Sequence, residues 1–305
     1  MNFNVPILFL TFNRPKQTQR VFDAIRQMQP CKLYFAADGA RGNRAGEKEI
    51  CEEVRSIVLD NVDWKCEVKT LLRDKNLGCR KAVSSAITWF FDNEPEGIIL
   101  EDDCLPDLSF FLFCAELLEK YRNDQRIMMI SGINHQKNTV RGDYSYYFTR
   151  YNQIWGWASW RRVWDLYDEN MTLLPEILDN GYLNDIFQDE VAAQKWARDF
   201  KRVFDGQHDT WDYQFSFSCL IHGGVCINPM ANLVSNIGFD ENATHTSIGS
   251  IQTANLPTFP MPFPLKHPPY IVRDAVADHY DEKHDFHPNL FLKAKFKIKG
   301  LLKMK

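Results

Sequence analysis

Glu101, Asp102 and Asp103 stand side by side directly after Gly97-Ile98-Ile99-Leu100, an apolar run that reads as a buried strand. Three adjacent carboxylates repel one another and resist desolvation, so at the end of a buried strand they call for a cation. A hard divalent ion with oxygen ligands suits them. The plain alternative is a solvated acidic turn ahead of a helix opened by Pro106 and Asp107. Other strand-like runs end in comparable groups: Thr11-Phe12-Asn13-Arg14 after the first, Asp38-Gly39-Ala40-Arg41 after the second, and Arg73 to Arg80 after the third. In a parallel sheet all these ends lie on one edge, where ligands of α/β proteins sit. That edge would carry carboxylates for a metal, basic side chains for phosphates, and Asp38 to accept from a base N–H or a ribose hydroxyl.

No glycine-rich phosphate cradle accompanies them, since G-x-G-x-x-G and G-x-x-x-x-G-K-[ST] are both absent. A metal on the acidic triplet is then the remaining way to hold a nucleotide diphosphate. This suits a sugar nucleotide, whose departing diphosphate gains charge that the ion offsets.

The elements that must position these residues alternate. Val5 to Phe12, Lys32 to Ala37, Cys66 to Leu72, Ile98 to Leu100 and Ile127 to Ile130 read as strands, and helices are expected from Pro15, over Glu47 to Leu59, Cys79 to Phe91 and Leu108 to Tyr121. This is the pattern of a mostly parallel sheet covered by helices. After residue 132 the alternation fails. Aromatic-rich loops are expected from Tyr144 to Trp164, helices near Asp185 to Phe204 and Trp211 to Ile221, late strands at Val225 to Ile227 and Leu233-Val234, and a poorly structured proline strap from Pro257 to Pro269.

A chain of 305 residues with 45% apolar and 25% charged residues folds around a large core, and a formal charge of -4 gives no reason to expect nucleic acid. Eight cysteines without C-x-x-C spacing read as reduced core thiols. The N-terminus lacks a basic signal region and no stretch reaches membrane-span length, which points to the cytoplasm. The last fifteen residues hold six lysines and no acid, so the tail is expected to seek an anionic membrane surface, placing the enzyme at its inner face.

The ordered set TFNRP, a strand ending in ADG, N-L-G-x-R, and ILEDDC resembles the GT-A glycosyltransferases, especially family 2. EDD in place of the usual D-x-D is similar to N-acetylglucosaminyltransferase I. The resemblance spans roughly residues 3 to 246. It implies a three-layer α/β/α sandwich with a mostly parallel central sheet, over residues 1–250 with a nucleotide-sugar-binding half (1–132) and an acceptor half (133–250), followed by the strap and basic tail (251–305). It further implies that Asp103 ligates Mn2+ or Mg2+, with Glu101 and Asp102 on the donor sugar and ribose. Asp38 would lie on the uracil or ribose, Arg14 along the nucleotide with Thr11 and Asn13 beside it, and Arg80 near the base or diphosphate.

Trp155-Gly156-Trp157 resembles the family's G-W element, making Trp157 a sugar-pocket residue. His208-Asp209-Thr210-Trp211-Asp212-Tyr213 resembles the segment that carries the general base. One carboxylate opposite the leaving group takes the acceptor proton in an inverting displacement; Asp212 is the choice, with Asp209 the rival as either base or helix cap. His245 resembles the late histidine that GT-A enzymes turn on the metal. The implied activity is metal-dependent transfer of a sugar, from a UDP-sugar, to a hydroxyl of a glycan or lipid-linked acceptor in cell-surface glycan synthesis. The alternatives are a sugar-phosphate nucleotidyltransferase, which should carry a glycine-rich loop after the first strand, and a catalytically silent carbohydrate-binding protein.

Overall fold

The computed structural model describes residues 3–136, 139, 141–239 and 255–286. His245 and the tail from 291 onward lie outside them. Elements run β1 (Ile7–Thr11), α1 (Pro15–Met28), β2 (Lys32–Ala37), α2 (Glu47–Leu59), β3 (Glu67–Leu72), α3 (Gly78–Asn93), β4 (Glu96–Glu101), β5 (Cys104–Pro106), α4 (Leu108–Tyr121) and β6 (Ile127–Ser131). There follow β7 (Tyr146–Thr149), β8 (Trp157–Trp160), α5 (Arg161–Trp164), α6 (Leu174–Asp179), α7 (Tyr182–Phe187), α8 (Glu190–Phe204), α9 (Asp212–Ile221), β9 (Val225–Pro229), β10 (Val234–Asn236) and α10 (Ala275–Asp281), which ends in a π turn, Glu282–Phe286.

Eight strands form one sheet in the order β3-β2-β1-β4-β8-β6-β9-β7. β1 to β4 run parallel; β8 lies antiparallel between β4 and β6, β9 runs parallel to β6, and β7 closes the edge antiparallel. Helices flank the sheet in a three-layer α/β/α arrangement. Sequence chemistry accounts for these elements locally. Every residue of β1 is buried, as a strand covered on both faces requires. Pro15 supplies the preset φ at the first position of α1, which buries Thr18, Val21, Phe22, Ala24 and Ile25. Asp107 caps α4 by accepting from Ser109 N at 2.9 Å.

Three expectations are corrected. The aromatic stretch expected to form loops contains β7 and β8, both buried along their whole length; without polar alternation, periodicity cannot reveal such strands. The helical run near 185–204 is two helices, because Gln188 adopts φ +55° and Asp189 then caps α8 through Ala192 N at 2.8 Å. Met171, Leu183, Phe187, Trp196, Phe200 and Phe217 close a second core around these helices. The strap is tied down: Phe259 N donates to Asn232 O at 2.8 Å, Met261 N to Ser109 Oγ at 2.8 Å and Lys266 N to Ser145 Oγ at 2.9 Å. It leads into α10, which rests on the β7 edge through Asp274 N to Phe148 O at 2.7 Å.

All eight cysteines are free thiols. Among the described residues no helix is long and apolar enough to cross a membrane.

Candidate active site

The ends of β1, β2, β3 and β4 share one edge of the sheet, as parallel pairing requires. β4 stops at Glu101 and the chain turns through Asp102 and Asp103 into β5, which pairs antiparallel with β10. This ribbon lays the segment after β10 across the triplet. Ile237 N donates to Asp103 O at 2.8 Å. Gly238 passes so close that a Cβ there would stand 2.1 Å from Asp103 Oδ2 and 2.9 Å from Arg14 Nη1, so a side chain at this position would displace the Arg14–Asp103 pair.

The triplet is divided in its tasks. Asp102 Oδ2 accepts from Phe12 N at 3.1 Å, and Asp103 Oδ2 accepts from Arg14 Nη1 at 2.5 Å, with Asp102 Oδ1 3.6 Å from the same nitrogen. Glu101 has no hydrogen-bond donor on its carboxylate among the described residues; burial pushes it well above the carboxylate range, and Asp103, Asp102 and Asp212 push it further while Arg14 pulls it back. Asp102 is pushed up to about 7, by burial first and against the pull of Arg14. Burial opposes the Arg14 charge, yet Asp102 and Asp103 outweigh it and raise the guanidinium further. Thr11 Oγ1, at the end of β1, is buried without a hydrogen-bond partner.

Asp212 opens α9 and accepts from Thr210 Oγ1. Its charge is among those that raise Glu101, so the late acidic segment lies within electrostatic reach of the triplet. Asp209 is differently engaged, accepting from Cys79 N at 3.0 Å and Arg80 N at 3.2 Å, and so caps α3 from another part of the chain. Gly78, at φ +80°, leaves room for it: a Cβ would lie 2.7 Å from Asp209 Oδ2. Cys79 sits among these acids, its thiol raised by burial and then by Glu101, Asp212, Asp209 and Asp103, which disfavours the thiolate.

Other expected site residues are occupied by their neighbours. Asp38 is buried and accepts from Gly39 N (2.9 Å), Asn76 Nδ2 (2.9 Å) and Leu77 N (3.1 Å), clamping the loop after β2 to the loop after β3. Asn13 Nδ2 donates to Glu47 Oε1 at 2.9 Å. Arg80 turns away from the triplet to Glu169, donating to its carbonyl and standing 3.5 Å from its Oε1. Trp157 is 1% exposed and stacks on Trp211 with centroids 5.8 Å apart, so it lies within the core and not on a pocket wall.

The tryptophan at the site is Trp155. Antiparallel pairing sets Ile99 opposite Trp157, and Trp155 lies just before that strand, past Gly156 at φ +69°. Its ring meets His135 at 5.9 Å and Phe239, next to Gly238, at 5.7 Å. Glu47 also escaped sequence reasoning. It gathers Asn13, Arg41 N (2.7 Å) and the Arg41 guanidinium, and Arg41 in turn covers the Phe12 ring at 5.2 Å. Its place in the first turn of a helix marks it only as a favourable charge there.

The triplet's donors are all oxygens, and Glu101 is a half-buried carboxylate facing other carboxylates, which fits Mg2+ or Mn2+ in charge and ligand type. The side chains do not converge on one point. Among the described residues a single group of three His, Cys, Asp or Glu side chains brings ligand atoms within 4.8 Å of one another, and it is Asp189, His279 and Glu282.

No protein-family model matches the chain, and no curated protein does. Among solved structures it is similar to the inositol-1-phosphate CTP transferase from T. maritima, at 11% identity over 80% of this chain and 93% of that one, with a TM-score of 0.42. It is also similar to the 4-diphosphocytidyl-2C-methyl-D-erythritol synthase from Anaerococcus prevotii (8% identity, 61% of this chain and 85% of that one, TM-score 0.34). A third is a UDP-glucose pyrophosphorylase complexed with UDP-glucose (10% identity, 54% and 79% covered, TM-score 0.31). No glycosyltransferase stands among these three, and superpositions this loose carry no argument about activity.

Proposed function

We propose that the protein is an inverting glycosyltransferase that moves a sugar from a nucleotide diphosphate, UDP foremost, to an acceptor hydroxyl. The observation that supports this is Asp212 within electrostatic reach of Glu101, at the sheet edge where Arg14, Asp102 and Asp103 meet. Arg14 supplies positive charge for a diphosphate, and Trp155 offers an indole face for the sugar. Asp212, held by Thr210, takes the proton from the acceptor hydroxyl as that oxygen bonds to the anomeric carbon and the bond to the diphosphate oxygen breaks. Asp103 with Glu101 would hold the divalent ion, which when bound stabilises negative charge on the departing diphosphate. For Asp103 to serve, Arg14 has to move from its carboxylate to the phosphates.

A second reading is nucleotidyl transfer, the activity named for the solved structures similar to this chain. The loop after β1, Phe12 to Arg14, contains no glycine to cradle a triphosphate, which favours the first reading. Incubating the protein with Mn2+ and a panel of UDP-, GDP- and dTDP-sugars should release nucleoside diphosphate, with free sugar or glycoside as the other product. Pyrophosphate release from UTP or CTP with sugar 1-phosphates, and no diphosphate from any nucleotide sugar, would reverse the order of the readings.

A further inference from the structure

Away from the sheet edge, three side chains from separate elements meet: Asp189, the cap of α8, His279 on α10, and Glu282 in the π turn that follows. One ligand atom from each lies within 4.8 Å of the other two. Glu282 is 3% exposed, and its Oε1 accepts from the Tyr151 hydroxyl at 2.6 Å while Oε2 stands 3.5 Å from His279 Nδ1. Asp189 uses Oδ1 for its cap bond to Ala192 N, so Oδ2 is the oxygen it offers. We propose that Asp189, His279 and Glu282 bind a divalent transition-metal ion, zinc by preference, which braces the C-terminal helix against the second core.

An imidazole with two carboxylates is a donor set that zinc accepts, whereas magnesium and calcium favour oxygen alone. The Tyr151 hydroxyl, itself anchored in the second core by stacking on Phe187 and Trp196, gives the Glu282 carboxylate the outer-shell support that ligating carboxylates use. His279 is largely exposed, which opens the group to solvent and leaves water to complete the coordination. The ligands come from both sides of the contact between α8 and the C-terminal segment, so an ion there joins parts of the chain about ninety residues apart. This inference does not depend on the activity proposed above.

The test uses the untagged full-length protein, stripped with a chelator and titrated with ZnCl2, with MgCl2 as comparison, while heat and thermal unfolding are recorded. Zinc should raise the Tm by about 5 °C at a hundredfold excess over its dissociation constant, and protect residues 275–286 from proteolysis. His279→Ala, at an exposed position, should weaken this binding at least about tenfold and abolish the protection. Asp189→Asn keeps a good capping residue and should do the same without unfolding the helix. Asp103→Asn should leave it intact, which separates this ion from any held at the acidic triplet. Equal zinc binding by wild type, His279→Ala and Asp189→Asn, or zinc binding lost only in Asp103→Asn, overturns the proposal.

Discussion

Asp209 and Asp212 are three residues apart, and the structure gives their carboxylates different partners. Asp209 is consumed by the N–H groups that open α3, whereas Asp212 receives one hydroxyl bond and its charge reaches Glu101. Asp212→Asn is therefore expected to lower kcat by roughly 10²–10⁴-fold with nucleotide affinity nearly unchanged, because it removes basicity and keeps shape. Asp209→Ala should instead cost about 1 kcal/mol of stability, the value of a cap, read from denaturant unfolding. A dead Asp209 variant beside a fully active Asp212 variant would exchange the roles. Trp155→Ala, by removing a stacking face, should weaken binding of a UDP-sugar by roughly 3–10-fold relative to UDP itself, as measured by calorimetry. Equal losses for both ligands would take Trp155 off the sugar.

At the scale of elements, the loops after β1 and β2 are joined through one buried carboxylate. Hydrogen bonds from Arg41 foremost, helped by Asn13, hold Glu47 down to about 2, against an ordinary value of 4.5. A carboxylate depressed in the folded state contributes stability above its unfolded pKa and loses it as pH falls through the folded one. The window is thus pH 4.5 down to 2. At about 1.4 kcal/mol for each pH unit of that window, the contribution is about 3 kcal/mol at most. Glu47→Gln should be less stable than wild type at pH 7, and the two urea midpoints should converge toward about pH 2.5. Parallel acid limbs for the two proteins would show that the loops are held by something else.

The whole molecule is shaped by the second half entering the sheet of the first. β8 slots between β4 and β6, with Trp155 just before it against Phe239, and β7 offers an edge on which α10 docks. That docking is polar and buried: Asp278, 1% exposed, accepts from Thr149 Oγ1 at 2.5 Å and pairs with Arg150 at 3.2 Å and Arg273 at 3.4 Å. Arg150→Met would leave this carboxylate short of its more buried cationic partner and should destabilise the protein by about 3 kcal/mol, with earlier proteolytic loss of α10. An unchanged Tm would show that Arg273 alone suffices. The lysines beyond residue 290 make a separate prediction at this scale. Deleting residues 291–305 should release the protein from anionic liposomes without changing turnover on soluble substrates, and undiminished binding by the truncated chain would leave the tail without that role.

The parallel half of the sheet was legible element by element, with β2, α2 and α4 at their observed bounds, because continuous apolar runs alternating with 3.6-period faces leave few other arrangements. The same reading collected Arg14, Asp38 and the acidic triplet at one edge, since parallel strands place their ends together. What it could not supply was how each polar group spends its hydrogen bonds. Asp38 and Asn13 look available in sequence, but in the fold Asp38 is held by Leu77 and Asn76, and Asn13 donates to Glu47. Trp157 and Trp155 differ by two residues and would share one face of a regular strand. The strand begins only at Trp157, which is buried against Trp211, while Trp155 lies before it against His135 and Phe239. Local pattern determines which segments become strands and helices; which carboxylate stays uncompensated depends on contacts between residues a hundred positions apart, and only tertiary packing decides those.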